Sequence, residues 1–375
     1  MHISSTFDSG NIEVVAASDP SDIQLKIRPD AGPDGFFQWF HFRVSGVAGK
    51  DLRLRIVNAG DASYQKGWEG YRACLSPDRD SWIRVDTDFD GKELVIRHHA
   101  DSDSLYIAYF PPYSRERHRD LIAACQTMPN CRHAVIGETV DGEELDLLTI
   151  GDGAESKKKV WFIARQHPGE TQAEWFMEGM LTRLLDSHDP VSREILSRAT
   201  VHAIPNMNPD GSRRGHLRTN AAGANLNREW AAPSTEKSPE VLAALEAMDR
   251  IGLDFCLDVH GDEGLPYAFI AGGDGAPGAT PRQTELREAY EAALRRANPD
   301  FQSEHGYPKT PPGKGNLAMA SNQLTHRFGA LAMTLEMPFK DNADAPDPIH
   351  GWSIARCRLL GAASLDALYA VIDDL

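Results

Sequence analysis

Four side chains able to bind a metal or carry a proton follow apolar runs of this sequence. His167 and Glu170 come after Val160-Trp161-Phe162-Ile163-Ala164, His260 after Phe255-Cys256-Leu257-Asp258-Val259, and Glu336 after Ala330-Leu331-Ala332-Met333-Thr334-Leu335. Imidazole nitrogen and carboxylate oxygen are both ligands of Zn²⁺, and a catalytic zinc site keeps three protein ligands with a fourth position left for water. His167 and Glu170 supply two such ligands from one turn, so a third must come from elsewhere. Taken alone, His-x-x-Glu is frequent by chance, the glutamate being a solvated helix start that favours the helix dipole. A lone His260 is equally a polar strand terminus. Three apolar strands ending in these four groups are another matter. Ligands of open α/β sheets bind outside the carboxyl ends of strands, so the four groups can meet on one rim.

The first apolar run is a buried strand by its β-branched and aromatic content, and Pro168-Gly169 closes it with a tight turn. Ala173, Phe176, Met177, Met180, Leu181, Leu184 and Leu185 then recur at helical spacing, with Thr171 at the N-cap position. From Leu145 onward, strands (Leu145 to Ile150, Val201 to Pro205, Phe255 to Val259, Ala330 to Leu335) alternate with helices. The helices are carried by Val241, Leu242, Leu245 and Met248, by Leu286, Tyr290, Ala293 and Leu294, and by a last segment from about Trp352. Asn206 to Gly211 is a turn by composition. This alternation predicts an α/β fold, one sheet with helices on both faces.

The preceding residues differ. Phe36 to Val44 is dense in aromatics, Leu52, Leu54 and Ile56 alternate with Arg53 and Arg55, and short apolar stretches near 82–85, 94–96 and 105–109 continue the series. A small antiparallel β-sandwich is expected there. Pro111-Pro112-Tyr113-Ser114 interrupts the pattern and a charged run opens a helix at Arg115. The expected domains are therefore 1–114 and 115–375.

The formal net charge of −16 works against nucleic-acid backbones as partners and leaves any acidic specificity to a local basic pocket. No apolar run reaches the roughly 18 residues of a membrane span, and the first residues lack the basic and apolar regions of an export signal. Five cysteines, scattered and never spaced Cys-x-x-Cys, fit free thiols of the cytoplasm and argue against a cysteine-built zinc site.

His167-Pro168-Gly169-Glu170, Asn208-Pro209-Asp210-Gly211, Asn225-Leu226-Asn227-Arg228-Glu229-Trp230, Asp258-Val259-His260-Gly261 and Thr334-Leu335-Glu336 stand in one order along the chain. The ordered set resembles the zinc carboxypeptidase A-like family, and within it the cytosolic carboxypeptidase branch, whose eukaryotic members trim glutamates from tubulin and other acidic tails. Gln38-Trp39-Phe40-His41-Phe42-Arg43-Val44 and Pro112-Tyr113-Ser114 resemble that branch's companion sandwich. The resemblance implies a mixed-sheet carboxypeptidase domain in which His167, Glu170 and His260 hold one Zn²⁺. Glu336 would be the general base, Arg218 the group polarising the scissile carbonyl, and Asn227 and Arg228 the grip on the substrate's terminal carboxylate.

Two departures bear on detail. Asn225 stands where relatives carry an aspartate that orients the first histidine. Gly313-Lys314-Gly315-Asn316 replaces a Gly-Thr-Gly-Arg pattern, leaving Lys314 as the candidate cation for an acidic side chain. Tyr307 is a candidate for the tyrosine near the leaving group.

The expected function is removal of C-terminal residues, acidic ones preferred, from peptides or protein tails in the cytoplasm, without nucleic-acid or membrane partners. Two other readings share the ligands: a zinc amidohydrolase of N-acylated acidic amino acids, and a binding module whose zinc site has lost catalysis. The same ligands also accept cobalt or manganese.

Overall fold

The computed structural model describes residues 1–375. Its first part is built from β1 (His2–Ser4), β2 (Glu13–Ala16), β3 (Ile23–Lys26), β4 (His41–Ser45), β5 (Asp51–Ile56), β6 (Cys74–Ser76), β7 (Ile83–Arg84), β8 (Asp86–Phe89), β9 (Leu94–His99) and β10 (Ser104–Ala108). These strands form two five-stranded sheets, in the orders β1-β4-β10-β6-β7 and β2-β3-β5-β9-β8. Period-2 alternation in β5 is realised as expected, with Leu52, Leu54 and Ile56 buried and Arg53 and Arg55 on the outer face. The sandwich is antiparallel except where β3 runs parallel to β5, a pairing that local pattern does not reveal.

The second part contains α1 (Arg115–Gln126), β11 (Cys131–Glu138), β12 (Glu144–Ile150), β13 (Lys158–Ala164), α2 (Gln172–Leu184), α3 (Pro190–Arg198), β14 (Ala199–Ile204), α4 (Pro209–Arg214), α5 (Pro239–Ile251), β15 (Phe255–Asp262), β16 (Phe269–Gly272), α6 (Pro281–Ala297), α7 (Ala320–Phe328), β17 (Leu331–Pro338) and α8 (Ile354–Val371). Its seven-stranded sheet has the order β11-β12-β14-β13-β15-β17-β16. The central strands β14, β13, β15 and β17 are parallel and the flanking ones antiparallel. Parallel strands buried on both faces need apolar sequence, which β13 has without a break from Val160 to Ala164; β15, equally buried, interrupts its own run with Asp258 and His260.

One face of the sheet is covered by α2, α6 and α8, the other by α5 and α7 with Trp161 and Trp230 beneath them. Each fully buried large apolar side chain contributes about 1.5–3 kcal/mol, which fixes the helix faces firmly. A single apolar cluster of 71 residues runs from both sandwich sheets into β13, α2 and α8, so the two parts share a core.

Three local expectations are corrected. Pairing of β15 with β17 continues through Gly261↔Met337 and Asp262↔Pro338, so His260 and Glu336 sit inside their strands rather than beyond them. Thr171 occupies the expected position at the start of α2, but its backbone is helical and its hydroxyl donates to the Pro111 carbonyl instead of capping. The turn at Asn206 to Gly211 passes directly into α4, with the Asn208 side chain accepting from Gly211 N–H as its N-cap.

Candidate active site

The apolar pull of β13 buries its carboxyl end, and the chain turns there through Arg165, at φ 58°, and Gln166 to bring His167 and Glu170 under the sheet rim. Gly169 is required at that turn, since a Cβ would come within 2.9 Å of the Leu217 carbonyl oxygen. Asn208 holds the turn from the other side by donating its amide to the Gln166 carbonyl at 2.9 Å.

His260 arrives on the neighbouring strand, and its Nδ1 lies 3.2 Å from His167 Nδ1. Glu170 places Oε1 2.6 Å from His167 Nδ1 and Oε2 2.7 Å from His260 Nδ1. The outer nitrogens are tied off: His167 Nε2 is 3.0 Å from Asn225 Oδ1, and His260 Nε2 is 3.0 Å from Asp258 Oδ2. Such outer acceptors fix ring orientation and ligand basicity. Asp258 is held in turn by the Gln166 amide at 2.7 Å, and Gln166 Oε1 accepts from Trp230 Nε1 at 2.8 Å. The three inward ligand atoms lie within 4.8 Å of one another, a group that could hold a metal ion.

Burial, then the nearby Arg218 charge, holds His167 down to about 4. Burial also opposes protonation of His260, but Asp258 and Glu170 outweigh it and keep that pKa well above the histidine range. A metal at this cluster is therefore coupled to loss of the His260 proton.

A cavity of about 790 Å³ opens over the cluster, lined among others by Arg218, Asn227, Arg228, Tyr307 and Glu336. The register His260↔Glu336 sets Glu336 beside the ligand strand. Its Oε1 is 3.2 Å from the Tyr307 hydroxyl, its Oε2 is buried without a partner, and burial pushes its pKa well up. Tyr307 donates to Asp262 Oδ2 at 2.6 Å. Asn227 Oδ1 accepts from Ala320 N–H, which leaves its amide N–H groups for the cavity.

A second cavity of about 680 Å³ shares Asn227, Tyr307 and Glu336 with the first and extends towards Asp274, Arg287 and Glu291. Arg287 is there paired with both acids. Lys314 lines neither cavity: it is exposed on its loop, so the sequence-expected cation is not brought to the site.

Several site residues were not among the sequence candidates. Asp262 and Glu263 follow the ligand histidine, and burial raises Glu263 to about 8. Lys66 and Tyr64 reach the cavity from the sandwich, and Arg218 lies over the rings of Phe36 and Tyr64 at 5.8 and 5.4 Å. Asp30 accepts from the backbone N–H groups of Leu217, Arg218 and Thr219 at 2.7, 2.7 and 2.9 Å. Only Asp262 and Glu263 stand beside a ligand in the sequence; the sandwich residues are brought in by packing, Asp30 across 188 positions of chain.

A profile of the cytosolic carboxypeptidase N-terminal domain matches residues 3–110, and a zinc carboxypeptidase profile matches residues 119–261. A metallo-carboxypeptidase from Burkholderia cenocepacia is 48% identical and superposes with a TM-score of 0.97 over all of both chains. The chain belongs to the zinc carboxypeptidase family. A metallo-carboxypeptidase from Pseudomonas aeruginosa, solved with (2-guanidinoethylmercapto)succinic acid, is similar over all of both chains at 44% identity and a TM-score of 0.97. Human cytosolic carboxypeptidase 1 is 27% identical over an alignment 322 residues long that covers 72% of this chain and 26% of the human protein. This zinc metallocarboxypeptidase thus carries both the sandwich and the catalytic fold of the family. The matched zinc carboxypeptidase segment includes His167, Glu170, Arg218, Asn227, Arg228 and His260; Tyr307 and Glu336 lie beyond it.

Proposed function

We propose that this zinc metallocarboxypeptidase releases C-terminal residues from peptides or protein tails, with Glu336 as general base. The observation that carries the reading is the partnerless Glu336 Oε2, buried in the same cavity as the ligand cluster and the two arginines. His167, Glu170 and His260 would hold the metal. Bound there, Zn²⁺ supplies Lewis acidity and lowers the pKa of its water to about 7. Glu336 Oε2 takes the proton of the attacking water and passes it to the leaving amine. Arg218 donates to the oxygen on which negative charge develops, and the aromatic rings beneath it limit its swing. Arg228 and the Asn227 amide grip the terminal carboxylate, for which a guanidinium fork is suited. That grip restricts cleavage to the last residue. Residues 1–114 then form a sandwich wall of the site and 115–375 the catalytic unit. Five unpaired, buried thiols support a cytoplasmic setting.

For the departing side chain, an acidic preference follows from the cytosolic carboxypeptidase likeness, with Lys66 rather than Lys314 as the cation facing the cavity. A basic side chain is the second reading. The guanidino compound bound by the Pseudomonas relative, together with the second cavity's Asp274 and Glu291, two acids against the single charge of Arg287, favours it.

Matched peptides ending in Glu, Asp, Lys, Phe and Ala, with free or amidated termini, decide between them when product release is followed by mass spectrometry. Loss of Glu or Asp from free termini alone supports the first reading, loss of Lys the second. No loss from any peptide sends the search to N-acylated amino acids. Glu336→Gln should keep zinc yet lower turnover by about 10²–10⁴-fold, and undiminished turnover would sink the base assignment.

A further inference from the structure

Asp30 follows β3 on a sandwich loop closed by its own N–H to the Phe36 carbonyl at 2.8 Å, and its side chain is buried. One carboxylate oxygen accepts from Leu217 N–H, the other from the N–H groups of Arg218 and Thr219 and, at 3.3 Å, from the Thr219 hydroxyl. The same loop supplies a second grip, as Ala31 N–H donates to His216 Nε2 and the Ala31 carbonyl is the alternative acceptor, at the same 3.3 Å, for the single Thr219 hydroxyl proton. Its backbone approaches so closely that a Cβ on Gly32 would come within 2.8 Å of Gly223 Cα. From its far end, Phe36 places a ring under the Arg218 guanidinium.

We propose that Asp30 is a positioning residue of the active site: the sandwich carboxylate fixes the Leu217 to Thr219 backbone and thereby aims Arg218 at the substrate carbonyl. This rests on the reading that Arg218 acts on substrate. The physical need is plain. Between α4 and Leu226 the chain has no regular hydrogen-bond ladder, so three successive N–H groups turned one way require an acceptor, and only an external carboxylate supplies it. A guanidinium on a long side chain works on a developing oxyanion only if its Cα is held, because such preorganised donors lose their effect with small displacements. The Leu217 carbonyl meanwhile accepts from Gly169 N–H, so the fixed segment also braces the turn between the first two metal ligands. The sandwich is then a working wall of the site rather than an appendage.

The test uses the full-length zinc-loaded protein. Asp30→Asn keeps the size but leaves an N–H₂ group facing at least one donor; Asp30→Ala removes all the acceptors. Hydrogen exchange at Leu217, Arg218 and Thr219 should quicken about tenfold or more in Asp30→Ala; unchanged exchange overturns the proposal. On the best-cleaved free-terminus peptide, Asp30→Asn should lower kcat about tenfold with little change in KM. With excess zinc present, so that any effect on the His167 and Glu170 turn leaves the metal loaded, Asp30→Ala in an Arg218→Ala background should lower kcat by less than about a further twofold, since both changes then remove one function. Additive losses would make Asp30 a fold-supporting residue only. Full activity in Arg218→Ala would instead defeat the oxyanion reading of Arg218, and the purpose assigned to Asp30 with it.

Discussion

Two buried histidine–carboxylate clusters stand at the two ends of one turn, four residues apart at Glu170 and Glu174. In the second, carboxylates converge on an imidazole: His118 Nδ1 is 2.8 Å from Glu174 Oε1 and its Nε2 is 2.9 Å from Asp146 Oδ2. Asp146 also receives His133 Nε2 at 2.6 Å, while Glu174 Oε2 is shared by Arg165 and the Asn206 amide. In the first cluster the geometry is inverted, with two imidazoles and a carboxylate converging on one point. His118 has a separate acceptor for each ring N–H and closes as an ion pair. His167 and His260 spend their outer nitrogens on Asn225 and Asp258 and turn both inner ones to a common centre. Proximity of histidine and carboxylate is thus not what marks a metal site; convergence of ligand atoms is.

The sharpest way to break that contrast is to remove one imidazole from each cluster. His260→Ala should lose stoichiometric zinc, read by metal analysis of the purified protein, and with it essentially all peptide release. His118→Gln should keep both metal and turnover. Comparable zinc loss in the two variants would mean that the clusters are not chemically distinct.

The His118 cluster predicts a stability effect with a sign. Burial alone would lower its pKa, but the bonds to Asp146 and Glu174 outweigh it and raise it to about 9, above the unfolded value of 6.5. A folded pKa above the unfolded one contributes stability that is complete below pH 6.5 and fades as pH rises through 9. At pH 6 the cost of His118→Gln should be about 3 kcal/mol by chemical denaturation. By pH 10 the gap between wild type and variant should have narrowed by most of that amount. A gap independent of pH would show that His118 is folded neutral.

Much of the site was legible because its chemistry rides on elements with strong local signals. The apolar run before His167, the Pro168-Gly169 turn and the periodic helix after Thr171 each announce themselves, and β13 and α2 occupy those positions. Strand ends were less legible: β15 and β17 outlast their apolar runs because each pairs with the other, a partnership that neither segment declares alone. Least legible was the sandwich's share. Asp30 and Tyr64 lie in unremarkable loops and acquire a role only when a shared core brings them against the Arg218 segment. Lys314 failed for the converse reason, a suggestive position whose loop points its side chain into solvent.

The smallest expected effect probes an asymmetry within the metal cluster itself. His260 leans on a carboxylate, Asp258, whereas His167 leans on the neutral amide of Asn225 at the same 3.0 Å distance. A carboxylate acceptor makes an imidazole a stronger donor to a metal, and changing such partners alters affinity by about 10–100-fold. Asn225→Asp should therefore tighten zinc binding by about tenfold, measured by chelator competition. Asp258→Asn should loosen it by a similar or larger factor. Asp258 is more deeply buried, and the Gln166 amide and His260 Nε2 both face its Oδ2, so removing the charge weakens the one acceptor on which both donors depend. If Asn225→Asp leaves zinc affinity unchanged, the amide already orients His167 as well as a charge would, and orientation rather than basicity is what the outer acceptors of this cluster provide.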